Sequence, residues 1–174
     1  MGRMKSSEMS PIQRRGRNSK KRGYTTEKQL EKFLLSNGIP AERVAMSGAL
    51  KFSKHDELHG DVNIKLGDKL VRVEVKSRQK LPAYVVGMRH GKPWVVKEIE
   101  HLCYLLTEEE FLTMCIDGSL PLHTPRISSA RCKQLENWFK QDDADIVAMK
   151  EYGKKHFYFA VKHKIINKMR GRYK

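Results

Sequence analysis

The chain has 174 residues, 39% of them hydrophobic, and sets 35 Lys and Arg against 20 Asp and Glu, for a formal net charge of +15 and a pI near 9.8. This length supports one domain with a real core and is short for two. The charge points to a polyanionic partner, since neutralised phosphates release condensed counterions, but it does not separate an enzyme from a packaging protein. No apolar run reaches the ~18 residues of a bilayer span, and no apolar stretch follows the basic start, so a soluble, unexported protein is expected. Cys103, Cys115 and Cys132 are odd in number and lack a paired short spacing, which argues against a disulfide framework or a zinc knuckle.

Residues 1 to 22 hold Arg14, Arg15, Arg17, Lys20, Lys21 and Arg22 with almost nothing to build a core, and a flexible basic arm is expected that orders against phosphates. A single domain is then expected from 23 to 174. TTEKQLEKFLLSNG, residues 25 to 38, predicts a helix: Thr25 or Thr26 caps it, Leu30, Phe33 and Leu34 form an apolar stripe, and Gly38 stops it. Glu27 then falls in the first turn. A short strand is expected within 39 to 46, followed by a polar loop from Ser47 to Gly60 whose Lys51, Lys54, His55 and His59 suit a phosphate-facing surface.

DVNIKL and KLVRVEVKSR, joined by Gly67 and Asp68, predict a hairpin. Val71, Val73 and Val75 then enter the core, while Glu74 and Lys76 share the other face, about 7 Å apart along the strand. Beyond it, residues 83 to 96 suggest strand, turn and strand, and 98 to 118 one helix or two short ones. A helix is expected over 128 to 139 with Leu135, Trp138 and Phe139 on its apolar face, then two strands around Gly153 and a basic C-terminal surface. Trp94, Trp138, Phe157 and Tyr158 could stack on bases, although burial is the ordinary fate of such residues.

Hydrolysis of a DNA phosphodiester requires an oriented water, stabilisation of charge on the phosphorane and help for a departing alkoxide. A hard divalent cation held by carboxylate oxygens serves these needs. Asp61 and Glu74 are ligands of the right type, and antiparallel pairing brings them to one end of the hairpin. Lys76 lies on the face of Glu74, where it could position water or offset developing charge. Glu27 is a natural third carboxylate if its helix crosses the sheet. The same three groups could also be solvated charges on a surface hairpin.

Arg22-Gly23, Glu27, RVAMSG with Arg43 and Ser47, Asp61, and EVKS at 74 to 77 together resemble the archaeal-type Holliday junction resolvases, which have bacteriophage relatives, within the PD-(D/E)xK nuclease superfamily. The resemblance covers about residues 20 to 80 and resumes weakly from about Leu135 through FYFAV. It implies a restriction-endonuclease-like α/β fold, a mixed central sheet flanked by helices, here with an inserted subdomain at about 87 to 125. It implies Glu27, Asp61, Glu74, Lys76 and Ser47 as the active-site set, with Glu27, Asp61 and Glu74 holding Mg²⁺ or, in substitution, Mn²⁺. Lys28, Arg43 and Ser47 then contact DNA, joined by Lys51, Lys54 and the arm. The chain departs from the superfamily pattern at Gly60, where proline often precedes the aspartate.

The function expected is paired, metal-dependent incision of four-way (Holliday) junctions, or other branched DNA, by a homodimer in the cytoplasm or in a virus-infected host cell. A flap, nick or duplex nuclease of the same superfamily is the alternative within enzymes. A non-catalytic DNA-binding protein is the alternative outside them.

Overall fold

The computed structural model describes residues 10–44, 60–66, 69–83, 85, 102–120, 124–129 and 132–170. In chain order these form α1 (Pro11–Ser36), β1 (Ala41–Arg43), β2 (Val62–Leu66), β3 (Lys69–Arg78), β4 (Leu102–Thr107), α2 (Glu108–Asp117), β5 (Arg126–Ser128), α3 (Lys133–Gln141), β6 (Ile146–Glu151), β7 (Phe157–Lys162) and α4 (His163–Arg170). One seven-stranded sheet runs in the order β1-β2-β3-β6-β7-β4-β5. Its β3–β6 pair is parallel and the remaining pairs are antiparallel, so the expected mixed α/β architecture is what the chain adopts.

Side-chain alternation splits the core into two layers. Val71, Val73 and Val75 of β3, Ile146 and Ala148 of β6, and Phe157, Phe159 and Val161 of β7 face one side, where Leu30 and Leu34 of α1, Phe111 and Met114 of α2, and Ile165 and Ile166 of α4 cover them. Phe111 stacks on Phe159 with centroids 3.9 Å apart. Val147, Met149 and Ala160 face the other side, under Leu135, Trp138 and Phe139 of α3. The two residue triplets expected to form helical stripes therefore line opposite layers, and Phe33 is partly buried at the edge of the first.

Three elements differ from the sequence expectation. Residues 11–22, expected as a flexible arm, are the start of a 26-residue helix. Ser10 caps it reciprocally with Gln13, Pro11 occupies the first turn, and the packed half beyond Gly23 supplies a nucleus from which the turns propagate. Thr25 and Thr26 thus lie mid-helix, their hydroxyls donating to the Lys21 and Arg22 carbonyls at 2.8 and 2.9 Å, and Glu27 sits about four turns in rather than in the first. The expected stop does hold. Gly38, at φ +75°, donates to the Leu35 carbonyl and Ile39 to the Leu34 carbonyl, a Schellman closure.

Leu102–Thr107, expected within a helix, is β4, buried along both faces between β7 and β5. An apolar run covered on both sides has no period-two alternation to read. The described part of the segment expected as an insertion, 102–120 and 124–125, accordingly joins the sheet and core rather than forming a separate body. The helix expected from 128 begins instead at Lys133, with Cys132 at its N-cap and no side-chain cap. Of the strands expected over 83–96, only Ala83 and Val85 are described, and they lie in a helical turn, the Val85 amide donating to the Pro82 carbonyl at 2.9 Å, rather than in a strand; the remainder and the Gly67–Asp68 turn lie outside the described residues.

Candidate active site

The β2–β3 hairpin builds the site, and its register follows from burial. Val62 pairs with Val73 and Ile64 with Val71, all four in the core; a slip of one residue would turn them outward. One step beyond the Val62–Val73 pair, Asp61 stands level with Glu74. The Asp61 amide donates to the Val73 carbonyl and its carbonyl accepts from the Val44 amide, both at 3.0 Å, which ties β1, β2 and β3 together there. Its carboxylate Oδ2 accepts from the Val75 amide at 2.8 Å. Gly60 holds φ +84°, and a Cβ there would come within 3.4 Å of the Val73 carbonyl oxygen. Proline, fixed near −65°, cannot adopt that conformation, so the departure at Gly60 belongs to the way this chain enters β2.

Glu74 is 1% exposed. Its Oε1 accepts from Lys76 Nζ, and Oε2 is buried with no hydrogen-bond partner. Burial, then the Asp61 charge, pushes the Glu74 carboxyl up to about 8 despite the opposing pull of Lys76. A lysine in contact ordinarily lowers a carboxyl pKa, so desolvation is the stronger effect here. Lys76 also donates to Gln141 Oε1 at 3.0 Å. Gln141 ends α3, and no motif marks it in the sequence; only the packing of α3 on the Glu74 face brings it to the lysine.

Glu27 approaches from α1. Burial and the Asp61 charge raise its pKa, while Arg43 and Lys76 oppose the rise, so its carboxylate shares the electrostatic environment of the hairpin acids. Its Oε2 lies 3.4 Å from the Arg43 guanidinium. Arg43 is anchored in turn by its amide, which donates to Glu31 Oε1 at 2.9 Å, and by the Tyr24 ring, 4.5 Å below its guanidinium. Lys28 Nζ lies 5.1 Å from the same ring. Tyr24 thus organises two of the expected DNA-contacting cations, a role that its position before two threonines does not reveal.

Two carboxylates level on adjacent strands, one with an orphaned buried oxygen, fit a divalent cation, whose charge would offset both the desolvation and the mutual repulsion. Among the described residues no group of three or more His, Cys, Asp or Glu side chains stands close enough together to hold a metal ion. Glu27 pairs with Arg43 instead of closing on Asp61 and Glu74. Ser47, Lys51, Lys54, His55, His59 and Trp94 lie outside the described residues. Arg14, Arg15, Arg17, Lys20, Lys21 and Arg22 all lie on the exposed half of α1. Trp138 and Phe157 are buried and Tyr158 half-buried, which leaves them to the core. The three cysteines are buried free thiols, and burial pushes Cys103 and Cys115 up to about 12. Among the described residues no helix is long and apolar enough to cross a membrane.

No protein-family model matches the chain, and no curated protein matches it. Among solved structures, it is similar to a Holliday junction resolvase, Hjc of Archaeoglobus fulgidus, an archaeal hyperthermophile, with 18% identity and a TM-score of 0.33 over 85% of this chain and 98% of that one.

Proposed function

We propose that the chain is a metal-dependent endodeoxyribonuclease of the PD-(D/E)xK superfamily, acting as a homodimer that makes paired incisions in four-way DNA junctions. The observation that carries the nuclease reading is the burial of Glu74 with an orphaned oxygen, level with Asp61 and in contact with Lys76. A solvated ornament of a hairpin would leave the core free of charge; a buried carboxylate level with a second one is costly unless something uses it.

In this reading Asp61 and Glu74 would hold Mg²⁺, or Mn²⁺ in substitution, which supplies Lewis-acid activation of water and charge neutralisation when bound. Asp61 is oriented for this by the Val75 amide. Lys76, steered by Gln141, places a positive charge beside the Glu74 carboxylate, where it can orient a water or offset charge on the phosphorane. Glu27 and Arg43 act at the rim as a paired acid and phosphate contact. The junction and dimer parts of the proposal are supported by the residue series from Glu27 and Arg43 to Asp61 and EVKS. Two-fold symmetry would set two such sites on opposing strands.

Capture of Glu27 by Arg43 favours a second reading, a DNA-binding protein without catalysis. A panel of four-way junction, flap, nicked and linear duplex substrates, each with Mg²⁺ or chelator, separates the possibilities. Paired, Mg²⁺-dependent cuts confined to the junction are expected. Equal cutting of linear duplex would leave a nuclease of another preference, and binding without any incision would establish the second reading.

A further inference from the structure

The α1 helix has two working flanks. Glu27 and Gln29, two residues apart, project roughly 200° from one another around the axis. Glu27 and Glu31 turn toward Arg43 of β1, on the side of the acids. Gln29 turns the other way, and its Oε1 accepts from Lys150 Nζ of β6 at 2.8 Å. On that second flank, α1 and the β6–β7 turn enclose an open cleft of about 870 Å³.

The cleft is basic on both walls. Lys21, Arg22 and Lys32 line it from α1, and Lys150, Lys154 and Lys155 from the turn and its strands. Two acids also line it, Glu108 and Glu151; Glu108 is occupied, since its Oε1 accepts from the Phe157 amide at 2.7 Å and its Oε2 lies 2.8 Å from His156 Nδ1. Two of the cations are positioned in advance. Lys150 is held by Gln29 and by the Phe157 ring, 4.7 Å away, and the Arg22 guanidinium lies 4.9 Å over the Tyr152 ring. Gly153, at φ +75°, makes the tight turn in which the Lys154 amide donates to the Glu151 carbonyl, and it leaves Lys154 and Lys155 exposed.

Six cations against two acids give the cleft an excess positive charge that favours an anion. A small phosphate would meet the cleft alone. The cleft, however, opens at Lys21 and Arg22 onto the exposed half of α1, where Arg14, Arg15 and Arg17 continue the same positive surface with no acid anywhere between Pro11 and Thr26. A polyanion long enough to run along the helix would meet both regions at once.

We propose that the cleft between α1 and the β6–β7 turn is a second DNA-backbone site. It anchors a segment of the substrate on the opposite flank of α1 from Asp61 and Glu74, so that α1 stands between the anchored segment and the strand presented to the acids. This rests on DNA being the partner but not on incision, and binding is therefore measured with chelator present. In the full chain, K154E with K155E should weaken duplex binding by about tenfold or more and flatten the log–log salt dependence by roughly 2, at about 0.9 for each phosphate that is no longer neutralised. K133E, an exposed lysine on α3, serves as the control for bulk charge and should change the slope less. Lysine acetylation read by mass spectrometry supplies the local measurement: duplex should protect Lys154 and Lys155. An unchanged affinity and slope in the double variant would overturn the proposal, as would protection by inorganic phosphate equal to that by duplex, which would mark a small-anion site. Loss of incision with cleft binding intact would count against the nuclease reading alone.

Discussion

The β2–β3 and β6–β7 hairpins lie on either side of the parallel β3–β6 pairing and treat charge in opposite ways. The first draws it inward: Glu74 is buried, Lys76 is held against it, and Asp61 commits a carboxylate oxygen to a backbone amide. The second pushes it outward, with Lys154 and Lys155 on an exposed turn and Lys150 at the cleft wall. The contrast matches what the two proposed tasks demand. Chemistry on a phosphodiester gains from groups fixed in a low-dielectric setting, where each charge acts strongly and does not have to reorganise. Backbone anchoring gains from hydrated lysines that trade counterions for phosphates at little desolvation cost. Neither hairpin could serve in place of the other, although both are basic by sequence.

The most direct way to break this comparison is to remove the hairpin acids. D61A or E74A should lower single-turnover incision by at least about 10³-fold while leaving DNA affinity within a few-fold, because both groups repel phosphate and the basic surfaces remain. Full turnover by either variant in Mg²⁺ would move the chemistry elsewhere. K76A should cost about 10² to 10⁴-fold in the same assay. K76R should restore part of that loss if a positive charge is what matters, whereas failure of any rescue would point to a role requiring the ammonium itself.

A metal-free measurement sharpens the claim that Glu74 is strained by burial. Its pKa rises from 4.5 to about 8 on folding, so between those values the folded chain binds more protons than the unfolded one. The stability associated with the protonated group is fully present below pH 4.5 and is lost as pH rises through 8. Thermal melts in chelator should therefore show wild type losing on the order of 5 kcal/mol across that window relative to E74Q, which has no proton to give up. Parallel pH profiles would mean that Lys76 compensates the charge completely. The smallest effect is expected at Gln141. Q141A should slow incision by roughly threefold, with KM unchanged, since it frees one hydrogen bond on Lys76 and no contact to substrate. A change in KM alone would assign Gln141 to binding.

Much of the fold is legible in the order of residues. The hairpin announces itself by alternation around Gly67 and Asp68, and its valine face forces the register that sets Asp61 level with Glu74. The Leu30–Leu34 stripe and the Gly38 stop are local chemistry and hold. Local signals fail wherever a neighbour makes the decision. The first half of α1 carries no apolar period, and it is helical because a cap at Ser10 and a packed continuation past Gly23 hold it. Leu102–Thr107 is apolar without alternation, a pattern that suits a buried helix as well as a strand, and burial between β7 and β5 chooses the strand.

The site divides in the same way. Residue type and spacing mark Asp61, Glu74 and Lys76 as candidates, because a strand places i and i+2 on one face whatever surrounds it and the hairpin register sets Asp61 level with Glu74. Whether that face is wet or dry depends on what packs over it. α3, more than fifty residues away in the chain, brings Gln141 to Lys76, and the surrounding core leaves Glu74 almost without solvent. Likewise the cleft has one wall in α1 and another in the β6–β7 turn, and no window of sequence contains both. Short-range stereochemistry follows from the order of residues alone, while desolvation and the meeting of distant charges are properties of the packed chain.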